Sequence, residues 1–172
     1  MTLEERLQAF DDTRRGLLDE MEALDPALLV AKPIPGKWSM IEIVEHLVLA
    51  ERAVFRRLPD PRRIEEKPRD FGNRVRYALV MFILTSGIPV RTPSPAMVPQ
   101  GDRGLAELRR LWDESQRWLG SCIAHLGPGA GQKAVFEHPI AGPLTVSQAV
   151  RMGQVHVDGH VRQIRRLRRL LA

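Results

Sequence analysis

Apolar residues recur by threes and fours along four stretches of this chain, and each stretch opens on a helix-start signal. In the first, Leu3, Leu7, Phe10, Leu17, Met21 and Leu24 fall on one side of a helix from about Thr2 to Leu24. Thr2 and Glu5 have the spacing of a capping box. Asp25-Pro26 ends the run, because the residue before a proline is pushed out of the helical region. A second helix is predicted from Ser39, with Glu42 three residues on, to about Leu58 ahead of Pro59. The third covers Asp102 to Leu126, with a stripe of Leu105, Leu108, Trp112, Ser115, Leu119, Cys122 and Leu126 and a Gly127-Pro128 stop. The fourth starts at Thr145, with Gln148 completing another capping pattern, and continues to the last residue. No segment with the two-residue period of a strand competes with these four. The predicted fold class is therefore all-α, a four-helix bundle forming one domain over residues 1–172.

Helices two and three are joined by a long crossover, Pro59 to Gly101. It opens on a charged, proline-bearing stretch and closes on Ile88-Pro-Val-Arg-Thr-Pro-Ser-Pro. Between them, Phe71 to Thr85 reads as an extra helix carrying an apolar run. Connections of this length occur in bundles that are not simple up-down-up-down. The run has three readings: a cover for one bundle end, a dimer surface, or a membrane contact. Its core, Tyr77 to Leu84, is far too short to span a bilayer. Together with the wide apolar arc of helix two, it offers more surface than four helices need to bury, which predicts a homodimer.

Composition narrows the picture. At 172 residues and 44% hydrophobic content, the chain suits a single core. An aromatic share of only 5%, with abundant Leu, Ala, Arg and Glu, favours helices over sheets. The one cysteine, Cys122, excludes an internal disulfide and a thiolate metal cage, and its place on a helical stripe reads as a buried, inert thiol. The N-terminus carries acid where a secretory signal would carry base, so a cytoplasmic location is expected, with no membrane partner.

A net charge of +5 and a pI near 10.1 raise the question of nucleic acid. Much of the excess lies at Arg162, Arg165, Arg166, Arg168 and Arg169, and positions 162, 165, 166 and 169 share one helical face. No aromatic interleaves with them and no nucleic-acid motif accompanies them. The face reads as solvated cations that complement the C-terminal helix dipole, and no nucleic-acid partner is expected.

The fourth helix holds the candidate chemistry. Its inward stripe is Val146, Ala149, Gly153, His156, His160, Ile164, Leu167 and Leu171, so two histidines occupy a face that should be core. A spacing of four stacks them about 6 Å apart along the axis. Two imidazoles can then converge on one ion at about 2.0–2.1 Å each. Burying both requires partners for four ring nitrogens, and spacing alone leaves open a metal pair and a hydrogen-bonded structural pair. His46 lies at the edge of the apolar arc of helix two, near Ile43 and Ala50, and is ambiguous alone. His125 falls off its stripe and faces solvent, while His138, followed by Pro139, reads as a loop turn residue. There is no nucleophile elbow, phosphate-cradling loop or His-Glu-x-x-His motif.

Three segments resemble DinB-like proteins, the DinB/YfiT superfamily. Pro35-Gly-Lys-Trp-Ser-Met-Ile-Glu-Ile-Val-Glu-His-Leu resembles their entry to helix two, where a Trp-Ser pair opens the helix and a histidine follows two turns later. Phe136-Glu-His-Pro-Ile-Ala-Gly-Pro-Leu-Thr resembles the loop before their last helix. His156-Val-Asp-Gly-His160-Val-Arg-Gln-Ile resembles their His-x-x-x-His-x-x-Gln-Ile signature. The resemblance runs in order over nearly the whole chain. It implies a left-handed four-helix bundle whose metal ligands are His46, His156 and His160, with zinc or nickel as the divalent ion and open positions for water or ligand. It also implies a small-molecule substrate and thiol-dependent S-transfer, using a low-molecular-weight thiol, or metal-dependent hydrolysis. The alternative is a non-catalytic, metal-stabilised binding or stress-response module. The match is poorest over Phe71–Thr85.

Two further polar residues are candidates for supporting roles. Glu51 falls inside the apolar arc of helix two, either as a proton acceptor beside the site or in an ion pair with an arginine such as Arg14. Gln163, one turn beyond His160, is placed to orient a ligand.

Overall fold

The computed structural model describes residues 1–55, 65–86 and 94–172. In chain order, α1 (Leu3–Glu22) is followed by the single-turn α2 (Pro26–Val30), α3 (Met40–Phe55), α4 (Phe71–Ser86), α5 (Leu105–Leu126), the strands β1 (Ala134–His138) and β2 (Gly142–Thr145), and α6 (Val146–Leu171). The four long helices α1, α3, α5 and α6 form the bundle. Around it α1 packs against α6, α6 against α3, α3 against α5, and α5 back against α1.

The start signals act as their chemistry dictates. Glu5 N–H donates to Thr2 Oγ1 at 3.1 Å while Thr2 N–H donates to Glu5 Oε2 at 2.8 Å. The same reciprocal pair joins Ser39 to Glu42, at 2.7 and 3.4 Å, and Thr145 to Gln148, at 3.1 and 3.2 Å. Each box satisfies backbone donors that a helix N-terminus otherwise leaves unmet. Behind these caps the stripes bury as their periodicity demands. Phe10, Leu18, Ile43, Val44, Leu108, Trp112, Leu119, Val146 and Val150 are fully enclosed. Each such side chain contributes about 1.5–3 kcal/mol of transfer free energy. Helices α1 and α6 approach closely at Gly153, where an added Cβ would meet the Phe10 ring at 3.1 Å.

Three features depart from the pattern-based reading. The first is a two-stranded antiparallel hairpin, Ala134–His138 with Gly142–Thr145, where a loop and no strand were expected. Its strands are too short, and β2 is too interrupted by Pro143, to show a two-residue period. It is built around buried Phe136 and Leu144, and its turn closes at Gly142 with φ +72. The second is α2, a single turn with Pro26 at its first position and Asp25 accepting from Ala27 N–H at 2.8 Å. One turn offers no periodicity to read. The third is the start of α5 at Leu105 and not Asp102. Arg103 is drawn into an ion pair with Glu45, which keeps Asp102 and Arg103 in the preceding loop. The predicted end of helix two at Leu58 lies outside the described residues, as does most of the Pro-rich close of the crossover.

The extra helix forms, as α4. Asp70 and Asn73 cap it reciprocally, at 2.9 and 2.7 Å. It lies on α6 and β2 and buries Val80 and Met81, with Tyr77 and Leu84 packed partly against the core. Its opposite face leaves Phe71, Val75, Leu79 and Phe82 exposed in one stripe. Among the described residues no helix is long and apolar enough to cross a membrane.

Candidate metal centre

His46 stands in the second turn of α3 and is buried at 6% exposure. Its Nδ1 lies 2.8 Å from the carbonyl oxygen of Met97. A carbonyl only accepts, so Nδ1 carries the proton and Nε2 keeps its lone pair. Met97 closes a short 3-10 turn, Pro95–Met97, begun by Ser94 accepting from Ala96 N–H at 3.3 Å. The loop after it is pinned to α3 by Glu45, 1% exposed, which accepts from Gln100 N–H at 3.1 Å, Gly101 N–H at 2.8 Å and Arg103 Nη1 at 2.5 Å. The residue next to His46 thus anchors the loop that orients its ring. The Trp38 ring covers one side of His46, with centroids 4.8 Å apart.

His156 and His160 project from successive turns of α6 and are partly exposed, so the cluster lies at the edge of the core. The Gln163 amide oxygen accepts from His160 Nδ1 at 2.9 Å, which again frees Nε2. That Nε2 lies 3.1 Å from Nε2 of His156. Two ligands at about 2.05 Å from a shared ion in tetrahedral geometry stand about 3.3 Å apart, so this separation fits one ion between them. The ring of His46 has its centroid 5.3 Å from that of His156 and 5.1 Å from that of His160. One ligand nitrogen from each of the three histidines lies within 4.8 Å of the others.

Electrostatics keep the rings neutral. Burial lowers the pKa of His46, against the pull of the Met97 carbonyl. Burial and the His46 ring push His160 down to about 4. His156 is held well below the usual imidazole value, by burial first and then by His160, His46 and His138. Neutral imidazoles are the form that ligates metal, and three of them leave a divalent ion its full charge.

The other sequence candidates lie elsewhere. Glu51 does not pair with Arg14. The buried Arg14 guanidinium is taken by Asp11 and Asp113, each at 2.6 Å. Glu51 accepts instead from Trp112 Nε1 at 2.6 Å and Gln116 Nε2 at 2.7 Å, so its carboxylate faces α5 and not the three histidines. Burial, against those two hydrogen bonds, raises its pKa to about 7. His125 is exposed. His138 ends β1, and its Nδ1 accepts from Ile140 N–H at 3.2 Å and Ala141 N–H at 3.1 Å, which makes it the turn residue expected. Cys122 is buried and its thiol pKa is raised by burial, as suits an inert core residue. Arg165 pairs with Glu20 of α1 at 2.5 Å, while Arg162, Arg166, Arg168 and Arg169 are exposed. Sequence reasoning missed Glu45 and the Met97 carbonyl, because the contact joins residues 51 apart through a backbone atom.

The comparisons agree with this architecture. A crystal structure of TT2238, described as a four-helix bundle protein, superposes with a TM-score of 0.56 at 20% identity, covering 96% of this chain and 99% of that one. A search of curated proteins finds no match. The sequence model of the DinB superfamily matches residues 9–164, and the chain belongs to that superfamily.

Proposed function

We propose that this protein holds one divalent ion, zinc or nickel, through the Nε2 atoms of His46, His156 and His160. We further propose that it acts there on a small molecule, as an S-transferase using a low-molecular-weight thiol or as a hydrolase. The observation that carries the reading is the pair of locked tautomers. Met97 and Gln163 each occupy an Nδ1, so His46 and His160 direct free lone pairs toward the position that His156 also faces. The donor set is all imidazole, which suits zinc, nickel and copper better than magnesium or calcium. Three protein ligands leave coordination positions open, the mark of a reactive site over a closed structural one. Bound there, the ion supplies a Lewis acid that lowers the pKa of water or a thiol toward neutrality.

The chain's own residues contribute orientation and enclosure. Gln163 fixes His160, the Met97 carbonyl fixes His46, and the Trp38 indole keeps water from one side of the His46 ring. The test is metal content followed by spectroscopy of the cobalt-substituted protein. About one ion per chain, with a cobalt spectrum that changes on adding a low-molecular-weight thiol, is expected. A full coordination shell that no thiol or water exchanges with would refute a reactive site and favour the structural module.

A further inference from the structure

A buried carboxylate is costly unless it is fully hydrogen-bonded, and Glu45 is 1% exposed. Its partners all lie in one loop. Oε2 accepts from Gln100 N–H at 3.1 Å and Gly101 N–H at 2.8 Å, and Oε1 accepts from Arg103 Nη1 at 2.5 Å. That loop is otherwise loosely attached. Pro95, Ala96, Val98, Gln100 and Gly101 are exposed, and only Met97 and Pro99 are buried between Pro95 and Gly101. Its turn bonds, Met97 N–H to the Ser94 carbonyl and Val98 N–H to the Pro95 carbonyl, stay within the loop. Among the described residues, the hydrogen bonds that join residues 94–101 to the helices end on Glu45 or on His46. Two neighbours on α3 thus hold the same loop, one through its N–H groups and the other through the Met97 carbonyl. They reach different parts of it, because successive side chains on a helix point about 100° apart. Gln100, the first residue that Glu45 ties, comes three after Met97, and Pro99 between them has a fixed φ. The link from carboxylate to carbonyl is short and stiff.

We propose that Glu45 is a positioning residue of the metal centre: by docking this loop it keeps the Met97 carbonyl on His46 Nδ1, so loop docking and metal binding form one coupled equilibrium. The proposal rests on the reading of His46 as a ligand. With the loop docked, Nδ1 carries the proton and Nε2 keeps its lone pair. With the loop released, Nδ1 loses its acceptor and the proton can sit on either nitrogen. A ring protonated at Nε2 cannot ligate through that atom, so the fraction of competent rings falls and the apparent affinity falls with it. The coupling is reciprocal. An ion on Nε2 holds the proton on Nδ1 and so favours the docked loop.

The test compares wild type with Glu45→Ala and Glu45→Gln. The glutamine keeps an oxygen for the Gln100 and Gly101 N–H groups, and Arg103 can turn to Glu107, 3.9 Å away. In the metal-free protein, the ring nitrogen NMR shifts of His46 should place its proton on Nδ1 in wild type and Glu45→Gln. Glu45→Ala should show mixed tautomers, which a loss of stability alone would not produce. Zinc affinity, by competition with a chromophoric chelator, should stay close to wild type in Glu45→Gln. In Glu45→Ala it should fall about tenfold, the low end of what a direct partner of a ligand costs, since Glu45 acts through the loop. Zinc should also slow hydrogen exchange at Gly101 N–H in wild type. A Glu45→Ala protein that binds zinc as tightly as wild type, or keeps the His46 proton on Nδ1, overturns the proposal. Should Glu45→Ala not fold, Gly101→Pro decides. Gly101 is exposed, its φ of +74 is closed to proline, and the substitution removes its N–H, so the tie breaks outside the core. Wild-type zinc affinity with an Nδ1 proton in that variant overturns the proposal. A wild-type protein that takes up no zinc refutes the metal reading instead, and the His46 tautomer in the metal-free variants still decides whether Glu45 sets the ring.

Discussion

Gln163 holds His160 by an Nδ1-to-amide-oxygen hydrogen bond of 2.9 Å, and the opposite nitrogen of that ring then stands 3.1 Å from Nε2 of His156. One side chain outside the ligand trio therefore decides which nitrogen faces the candidate ion. Replacing such a partner typically costs about 10–100-fold in metal affinity. Gln163→Ala should lower metal affinity within that range, while the apoprotein melts close to wild type. Competition with a chromophoric chelator gives the affinity. An affinity equal to wild type would show that the hydrogen bond does not govern the ligand.

His156→Ala and His160→Ala should each sharply weaken metal binding and leave helical content nearly intact. Folding energy and binding energy reside in different places. The apolar stripes of α1, α3, α5 and α6 fill the core by themselves, so the ion adds stability in proportion to its affinity and does not permit folding outright. His138→Ala is the control. Its Nδ1 is committed to two turn N–H groups, so the variant should keep the ion and lose about 1 kcal/mol from the hairpin. Elemental analysis with circular dichroism checks all three. Loss of metal in the His138 variant as complete as in His156→Ala would bring the hairpin in as a source of a fourth ligand.

What could be read from the sequence is what depends on near neighbours in the chain. Thr2 with Glu5, Ser39 with Glu42 and Thr145 with Gln148 are three residues apart, and the stripes repeat within one helix, so caps and buried faces follow from local rules. The pairing of His156 with His160 is local too. Joining His46 to them took a family resemblance, because no spacing rule links α3 to α6. Nonlocal competition explains the misreadings. Asp113 and Asp11 take Arg14 before Glu51 can, and Trp112 and Gln116 satisfy Glu51 instead. Glu45 takes Arg103 and shortens α5 at its start.

The exposed stripe of α4 bears on assembly. Phe71, Val75, Leu79 and Phe82 recur at spacings of four, four and three, so they stand in line on the face turned from α6 and β2. A second copy of the chain burying this stripe would form a two-fold homodimer. Light scattering at micromolar concentration should give twice the chain mass, and Leu79→Arg should shift it toward one without lowering helical content. A monomeric wild-type mass removes the idea.

Glu51 provides a pH signature whose sign is fixed by its burial. Its carboxyl titrates at about 7 in the folded protein, against an ordinary value of 4.5. The native state therefore holds a proton that the unfolded chain releases between those values. This contribution to stability is full below about pH 4.5 and is lost as pH rises through about 7. Above that, the native protein carries a buried carboxylate at a cost on the order of 3 kcal/mol. Glu51→Gln stays neutral throughout and keeps an oxygen to accept from Trp112 Nε1, while its own amide can donate to Gln116 once that amide turns over. The variant should match wild type near pH 5 and exceed it near pH 8 by up to about 3 kcal/mol. The three histidines titrate with the opposite sign. Their folded pKa values are depressed, that of His160 to about 4, so their contribution is present above about pH 6.5 and is lost as pH falls below it. They are common to both proteins and cancel in the difference. Urea unfolding of metal-free protein at the two pH values measures that difference directly. An equal gap at both would show that Glu51 does not change its charge in this range.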